Sequence, residues 1–427
     1  MSTQKRQRTE STAKASHEAA RRKWLTGMTK KDDLQIVERL LRESIHPRST
    51  DSNDDKELEL ERRQSYDALC LLLCQQGRDD EATTIMRQLG HVARLSKQVL
   101  HYATPHATPQ ATPSATTFDP TCTPLRVFDN ALRPDTLSRL QATFCAADAP
   151  YWTSHNYSVY PPSPYFSFVV PLTPDALQNL GPLGDLLSVI VKKTEEHFGG
   201  SEEARFAELW AHRRPHASGH QLHFDSDDEG RGGVRNPLVS TVLYLSEEGC
   251  GGPTLVTDQH IDGEDLAQTG WLAFPKKNRL VIFDGAVLHG VIPGRGYVDS
   301  TKTRTTLMVA LWDDIRVRSG DGPGAARPLP MVSTSSAEEG EKNGEKNGEE
   351  NGEENGGENG GEKGGESSPE WCQSLTSPSA ATEKTSEVSD DAAVVVNPVQ
   401  VDQVWTDLLG NNIGHSKPHY DKVFQGF

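Results

Sequence analysis

Short apolar runs separated by turn residues fill the part of the chain between residues 206 and 312, and each has the length of a β-strand. They cover residues 208–212, 238–245, 271–274, 280–283, 289–292 and 305–312. Many short strands without intervening helices are typical of two facing antiparallel sheets. The pattern predicts a mostly β core, a jelly roll (double-stranded β-helix), with helices from residues 134–198 covering the outside of one sheet.

Apolar residues recur every three or four positions in the first 100 residues, which indicates amphipathic helices. Leu34, Val37 and Leu41 form one such stripe, and Leu69 and Leu73 belong to another. We predict a helical accessory region over residues 16–100, preceded by a disordered basic tail over residues 1–15. Two roles are open for this region, a bundle that supports the core and a module that binds a partner.

Three further tracts set the domain boundaries. Ala-Thr-Pro repeats at a four-residue step predict a semi-rigid linker over residues 101–124, because such frequent proline blocks both helix and sheet. Residues 338–370 hold twelve glutamates against three lysines, so we predict a disordered Glu/Gly/Asn-rich segment over residues 319–395. A short C-terminal element over residues 396–427 regains apolar residues. It is either a helix that docks on the core or an interaction motif.

Composition narrows the possible partners and compartments. The formal net charge of −17 argues against nucleic acid as a partner, because phosphate binding needs clustered positive charge. The six cysteines are scattered without a CxxC pair, which indicates reduced thiols. No apolar run is long enough to span a membrane, and the basic N-terminus has no apolar segment of the secretory type behind it. A cytoplasmic or nuclear protein is therefore expected.

The triplet His223-Phe224-Asp225 is the first candidate for chemistry. Side chains at positions i and i+2 of a strand point the same way, so His223 and Asp225 can converge while Phe224 faces the packing. His289 follows 66 residues later, at the end of an apolar run. Two imidazoles and one carboxylate can occupy one face of an octahedral Fe(II) and leave three positions free. The three residues are predicted metal ligands and catalytic residues.

Arg304 opens the strand-like run 305–312, and an arginine that enters a buried strand needs an anionic partner. The far carboxylate of a 2-oxo acid would be such a partner. The Thr306 hydroxyl lies on the same strand face and is a second predicted donor. Four neighbouring residues carry weaker expectations. Arg213 and Arg214 lie in a loop or steer an anion, and His216 and His220 could contact substrate without being ligands. On a continuous strand His220, three positions before His223, would face the opposite side. Residues 227–229 are predicted to be a solvated acidic loop rather than ligands.

Residues 125–315 resemble the 2-oxoglutarate- and Fe(II)-dependent dioxygenases, most closely the prolyl 4-hydroxylase-like branch. The similarity starts at residues 127–132 and includes the His-x-Asp triplet, the strand 241–245 and Gly251-Gly252-Pro253-Thr254. Pro253 stands where the family usually has glutamate, and Asn278 where it usually has glycine. Arg304-Thr305-Thr306 matches the Arg-x-Ser/Thr anchor of related oxygenases rather than the lysine of prolyl hydroxylases.

This resemblance implies an oxygenase domain over residues 125–318. It would use Fe(II), 2-oxoglutarate and O2, with ascorbate as an accessory, hydroxylate an unactivated C–H bond and release succinate and CO2. The leading hypothesis is a protein substrate, with proline as one possible target. An oxygenase acting on a small metabolite or a modified base is the second hypothesis, and a non-catalytic jelly-roll binding module is the third.

Overall fold

The computed structural model describes most of the chain in eleven stretches. They are residues 3–26, 30–45, 55–103, 123–227, 234–263, 265–298, 302–318, 325–330, 368–378, 393–410 and 422–425. The Ala-Thr-Pro repeats and most of the glutamate-rich tract lie outside these ranges, so the predictions made for them stay predictions.

Two sheets form the core. The larger has eight strands in the order β12-β3-β4-β11-β6-β9-β2-β13. Its strands are β2 (Leu125–Asp129), β3 (Phe168–Pro171), β4 (Phe206–Pro215), β6 (Val239–Tyr244), β9 (Arg279–Asp284), β11 (Thr303–Trp312), β12 (Arg327–Pro328) and β13 (Val394–Val396). The smaller has five, in the order β14-β8-β7-β10-β5. They are β5 (His220–His223), β7 (Thr254–His260), β8 (Gly270–Ala273), β10 (Val287–Val291) and β14 (Val399–Val401).

The two sheets face each other across an apolar layer. Val242, Val281 and Met308 of the larger sheet pack there with Val256 and Trp271 of the smaller. We call the faces that look at each other the inner faces. All six predicted strands are present, and the mostly β core with flanking helices agrees with the predicted jelly roll.

Helices cover the outer face of the larger sheet, as predicted. They are α6 (Pro134–Phe144), α7 (Pro150–Ser154), α8 (Pro174–Gln178), α9 (Gly181–His197) and α10 (Glu370–Thr376), with a 3-10 turn at Ser201–Glu203. Leu307, Val309 and Leu311 alternate along β11 and bury their side chains among the α6 and α9 residues. Because of this alternation, one face of β11 lies against the helical layer and the other face looks toward the space between the sheets.

The prediction of one disordered segment over residues 319–395 is wrong at three places. β12, α10 and the start of β13 lie within it. Trp371, Cys372 and Leu375 of α10 are buried against the layer of α6 and α9. These apolar residues give α10 a buried face, whereas the glutamate-rich sequence before it is poor in apolar residues.

The N-terminal region forms five helices and one strand: α1 (Thr3–Thr26), α2 (Lys31–Ser44), α3 (Asp55–Gln75), α4 (Asp79–Gln88), β1 (Ala93–Leu95) and α5 (Lys97–Leu100). The predicted N-terminal helices are present in the described parts of residues 16–100. The disordered tail over residues 1–15 is wrong from Thr3 onward, because α1 begins there. Ala13, Ala20 and Trp24 bury one face of α1, and His17 Nδ1 lies 2.6 Å from Ser65 Oγ on α3. Residues of this region pack with Leu255, Leu272 and Leu288 on the outer face of the smaller sheet.

The C-terminal element docks on the core, but as strands rather than as a helix. β14 extends the smaller sheet, while β15 (Trp405–Asp407) and β16 (Val423–Phe424) flank β1 in a separate three-stranded sheet. Val401, Val404 and Leu408 are buried with the N-terminal helices. The C-terminal residues are extended because they pair with the otherwise free edges of β1 and β8. The periodicity of the local sequence does not reveal such pairing.

Asn278 explains one departure from the family pattern. Its φ of 61° lies in the left-handed region, which glycine adopts most easily and asparagine tolerates. The side chain also exchanges two hydrogen bonds with the backbone of Leu132, at 2.8 and 2.9 Å. Asparagine therefore serves the turn that glycine usually makes and ties it to the segment after β2. A membrane-spanning helix is not found anywhere in the described ranges.

Candidate metal centre

Two neighbouring strands place the candidate ligands side by side. β5 and β10 are antiparallel, and His223 lies directly opposite His289 in their register. Opposed residues of an antiparallel pair project to the same face, so both imidazoles enter the space between the sheets. Asp225 follows two residues after His223, just beyond the end of β5. Phe224 packs outward against the cluster that contains the N-terminal helices, as predicted.

The ligating atoms of the three residues converge. His223 Nε2 lies 3.4 Å from Asp225 Oδ1, and His289 Nε2 lies 3.6 Å from Asp225 Oδ2. One donor atom from each of the three residues falls within 4.8 Å of the other two. Two donors that each lie 2.0–2.2 Å from a common ion are roughly 3 to 4 Å apart, so the two measured His–Asp distances fit a metal centre.

Backbone carbonyls orient both imidazoles. His223 Nδ1 is 2.7 Å from the carbonyl oxygen of Gln221, and His289 Nδ1 is 3.0 Å from that of Val287. A carbonyl can only accept, so the proton of a neutral imidazole resides on Nδ1 in both rings. The lone pair of each Nε2 then faces the common point, which is the tautomer that metal ligation requires.

Asp225 is held from two sides by residues that the sequence analysis did not single out. Ser240 Oγ donates to Asp225 Oδ2 at 2.6 Å, and Asn236 Nδ2 donates to the Asp225 carbonyl at 2.6 Å. Ser240 projects from β6 of the opposite sheet. A polar residue within the apolar run 238–245 was the only sequence signal that could have identified it.

The electrostatics favour ligand-competent protonation states at Asp225 and His289, whereas a metal bound at His223 competes with a proton. Burial lowers the pKa of His289 to about 4, although Asp225 opposes this effect. Burial acts to raise the pKa of Asp225, but His289 and the hydrogen bonds from His223 and Ser240 outweigh it and leave that pKa below its ordinary value. Burial likewise acts to lower the pKa of His223, and Asp225 reverses the effect and raises it. An ionised carboxylate beside a neutral His289 is suited to bind a cation.

Arg304 crosses from one inner face to the other. It lies on β11 with 2% of its surface exposed, and its Nη2 donates to Thr254 Oγ1 on β7 at 3.1 Å. Its guanidinium carbon lies 5.0 Å from the centre of the Tyr244 ring, whose hydroxyl is 2.7 Å from the same Thr254 oxygen. Among the described residues, no acidic side chain forms an ion pair with Arg304.

Three buried polar atoms near Arg304 have no hydrogen-bond partner among the residues that the structure describes. They are Arg304 Nε, Arg214 Nε and Thr306 Oγ1. Arg214 lies directly opposite Arg304 between β4 and β11, and Thr306 is two residues further along β11. All three side chains share the inner face. Buried donors are rarely left unpaired, so this cluster has the character of an anion site.

Gly251 makes room for the arginine. Its φ is +81°, and a Cβ at this position would lie 2.3 Å from Arg304 Cδ. Its backbone N–H donates to His216 Nδ1 at 2.9 Å, and His216 Nε2 is 3.0 Å from the Arg295 carbonyl oxygen. His216 therefore supports the loop that borders the arginine and is not a ligand, in agreement with the sequence analysis.

Three expectations around the site need correction. His220 was expected on the opposite side of β5 from His223, but their ring centroids are 4.6 Å apart. The register of β5 and β10 shifts here, with His223 opposite His289 and His220 opposite Val291, so one extra residue on β5 returns His220 to the same face. Arg213 and Arg214 lie in strand β4 and not in a loop. Asp227 is not solvated, because it is buried in an ion pair with Arg235.

No protein-family model matches the chain, and no curated protein matches it either. A prolyl-4-hydroxylase from Pseudomonas putida is 18% identical over 48% of this chain and 94% of its own, with a TM-score of 0.28. A 2OG-Fe(II) oxygenase-family oxidoreductase from Burkholderia pseudomallei is 18% identical over 36% and 61%, with a TM-score of 0.23. HygX from Streptomyces hygroscopicus, with nickel and 2-oxoglutarate bound, is 13% identical over 44% and 82%, with a TM-score of 0.27.

Proteins of the oxygenase family named in the sequence analysis are among these solved structures. The functional proposal depends on the geometry of the site and not on the size of these similarities.

Proposed function

We propose that this protein is an Fe(II)- and 2-oxoglutarate-dependent dioxygenase that hydroxylates an unactivated C–H bond and releases succinate and CO2. The observation that carries the proposal is the convergence of His223 Nε2, His289 Nε2 and the Asp225 carboxylate beside a buried arginine without an acidic partner among the described residues. A structural ion-pair cluster would not need both imidazoles turned to the same tautomer.

His223, Asp225 and His289 would hold the metal. Two nitrogen donors and one oxygen donor on one side suit non-haem Fe(II) and leave positions for exchangeable ligands. When bound, the iron supplies the oxidising chemistry, using O2 and electrons from the oxo acid. Ser240 keeps the Asp225 carboxylate pointed at the metal position, and the Phe283 ring packs 4.7 Å from the His289 ring and helps to exclude water.

Arg304, with Thr306 as a second donor, would bind the far carboxylate of 2-oxoglutarate. Thr254, which accepts from Arg304, lies two residues before Val256, and Val256 is directly opposite His289. The strand spacings place Thr254 roughly 8 Å from His289 between Cα atoms. A five-carbon dicarboxylate can reach across a gap of this order from Arg304 to the metal. Arg214 adds positive charge on the same face.

We infer a protein substrate, with a proline side chain as one candidate target, and a cytoplasmic or nuclear location. The five cysteines in the described ranges are free thiols, which supports a reducing compartment. Ascorbate is included as an accessory reductant. A small metabolite or modified base remains the second candidate substrate. A non-catalytic binding module would not need the unpaired donors of Arg304 and Thr306 at a distance from the metal site that 2-oxoglutarate can span.

The test is succinate formation from 2-oxoglutarate by purified protein with Fe(II) and ascorbate. We expect slow uncoupled turnover that falls by at least about a thousandfold in His223→Ala, because one ligand and the metal are lost together. His260→Ala, an exposed histidine on β7, is the matched control and should keep full turnover. Iron binding is measured separately by calorimetry. A chain that binds neither iron nor 2-oxoglutarate would contradict the proposal and favour the binding module.

A further inference from the structure

A buried acid, Glu208, lies on the inner face of the larger sheet, two strands away from Ser240, the serine that holds Asp225. Glu208 on β4 is opposite Ala310 on β11, and Ala310 is opposite Ser240 on β6. The three side chains therefore form one row on the inner face, and the row ends at the serine that donates to Asp225. Neighbouring strands are about 4.8 Å apart, so Glu208 and Ser240 are roughly 10 Å apart between Cα atoms.

The Glu208 carboxylate has hydrogen-bond donors but no counter-charge. Only 7% of the residue is exposed, and its Oε1 accepts from Ser167 Oγ at 2.5 Å and from Tyr165 Oη at 3.5 Å. Neither lysine nor arginine forms an ion pair with it within the described part of the chain. Buried carboxylates are rarely left without a cation. Burial raises the pKa of Glu208 to about 7, and Asp225 and Asp227 add to the effect.

Tyr165 contacts this carboxylate and is partly exposed at the surface, and Trp210 packs against the Tyr165 ring. Trp210 is two residues from Glu208 on the same face of β4, and its ring lies edge-to-face with that of Tyr165 at 6.0 Å between centroids. Tyr165 is 41% exposed. An acid between aromatic rings binds ammonium and guanidinium groups well, because charge pairing and cation–π attraction act together. The residue between Glu208 and Ser240 in this row is Ala310, whose side chain is a single methyl group.

We propose that Glu208, Tyr165 and Trp210 form a cation subsite, which receives a lysine or arginine side chain of the polypeptide substrate while a neighbouring residue faces the metal centre. The proposal rests on the oxygenase function and adds a substrate class to it. Glu208 acts in specificity and takes no part in the oxidation. A proline-directed enzyme with this subsite selects prolines near a basic residue.

Binding of peptides tests the subsite without turnover. Pools of decapeptides carry one central proline, randomised neutral flanks and one lysine at a fixed offset, and matched pools carry norleucine instead. Affinity is measured by calorimetry at pH 8 on the full chain with Ni(II) and 2-oxoglutarate added. At least one lysine pool should bind about tenfold or more tightly than its norleucine partner. In Glu208→Gln, which keeps the hydrogen-bonding shape and removes the charge, the preference should vanish.

Two further variants keep the test decisive. Glu248→Gln removes an exposed acid from the same domain and should leave the preference unchanged. Tyr165→Leu removes the partly exposed ring and its 3.5 Å hydrogen bond to Glu208 but leaves the charge of the carboxylate in place, and should weaken lysine binding about threefold to tenfold. Uncoupled succinate formation should persist in Glu208→Gln, because the metal centre and Arg304 are intact.

The two proposals fail in different ways. Uncoupled turnover together with equal binding of lysine and norleucine pools, or with no peptide binding at all, would overturn the subsite and leave the oxygenase standing. A Glu208-dependent preference for lysine in a protein that forms no succinate would support the subsite and overturn the oxygenase. A lysine preference that survives Glu208→Gln in a folded variant would also overturn the subsite.

Discussion

The two faces of β11 have opposite characters although they belong to one strand. Its outward side chains, Leu307, Val309 and Leu311, are buried in a fully apolar layer under α6 and α9. Its inward side includes Arg304 and Thr306, which are equally buried yet carry polar atoms without partners among the described residues. Burial alone therefore does not distinguish a stabilising position from a functional one. The unmet hydrogen-bonding capacity of the inward side does, because folding leaves such groups unpaired at a cost.

Leu307→Ala should destabilise the packing on the outward face of β11. The free energy of unfolding should fall by about 3 kcal/mol, since a fully buried leucine is replaced by a cavity under the helices. Denaturant titration measures this change. The KM for 2-oxoglutarate should stay within twofold of wild type, and a large rise in KM in a folded variant would show that the two sides are not independent.

Arg304→Leu should give the reverse result. The affinity for 2-oxoglutarate should fall about a hundredfold, because the charge that meets the far carboxylate is lost. Without ligand, the variant should be at least as stable as wild type, since a buried charge without an acidic partner is removed. Calorimetry and denaturant titration measure the two effects. Arg213→Leu, on the other face of β4, is the matched control and should keep 2-oxoglutarate affinity.

Glu208 should make stability depend on pH. Its pKa of about 7 in the folded protein is above the ordinary value of 4.5, so between these values the folded state holds a proton that the unfolded chain releases. The free energy of unfolding should therefore fall as pH rises through this window. From pH 5.5 to 7 the contribution is on the order of 2 kcal/mol. Glu208→Gln should remove that slope relative to wild type, and parallel pH profiles would disprove the assignment.

Thr306→Val should have the smallest effect. The substitution keeps the shape and removes a hydroxyl that has no partner within the described ranges, so stability should not decrease. The KM for 2-oxoglutarate should rise about threefold, the size of one modest hydrogen bond. Steady-state kinetics with Fe(II) can resolve this change. An unchanged KM would mean that the arginines alone anchor the oxo acid and that Thr306 does not contribute.

Much of the site could be predicted from local sequence. His223, Asp225 and His289 were identified by a His-x-Asp spacing on a strand and by a histidine that ends an apolar run, and both signals depend only on the period of two. Arg304 was identified because a charge at the start of an apolar strand is costly. The structure places the three candidate ligands together and brings the Arg304 guanidinium against β7, the strand that pairs with the His289 strand β10.

The surrounding residues could not be predicted in this way. His220 was assigned to the wrong face because an extra residue in β5 shifts the register, and such a bulge leaves no mark in a short sequence. Ser240 and Glu208 join the site through pairings with β11 that connect residues 70 or more positions away along the chain.

The sequence by itself indicated the six central strands, the N-terminal and flanking helices and the candidate metal ligands, because periodicity and burial cost act over a few neighbouring residues. Only the tertiary structure decided the register, the pairing of the C-terminal strands with β1 and β8, and the row that leads from Ser240 to Glu208. These features depend on backbone hydrogen bonds between strands that are far apart in the sequence. Any strand of suitable length can form such hydrogen bonds. The choice among partners is made by the packing of the whole core.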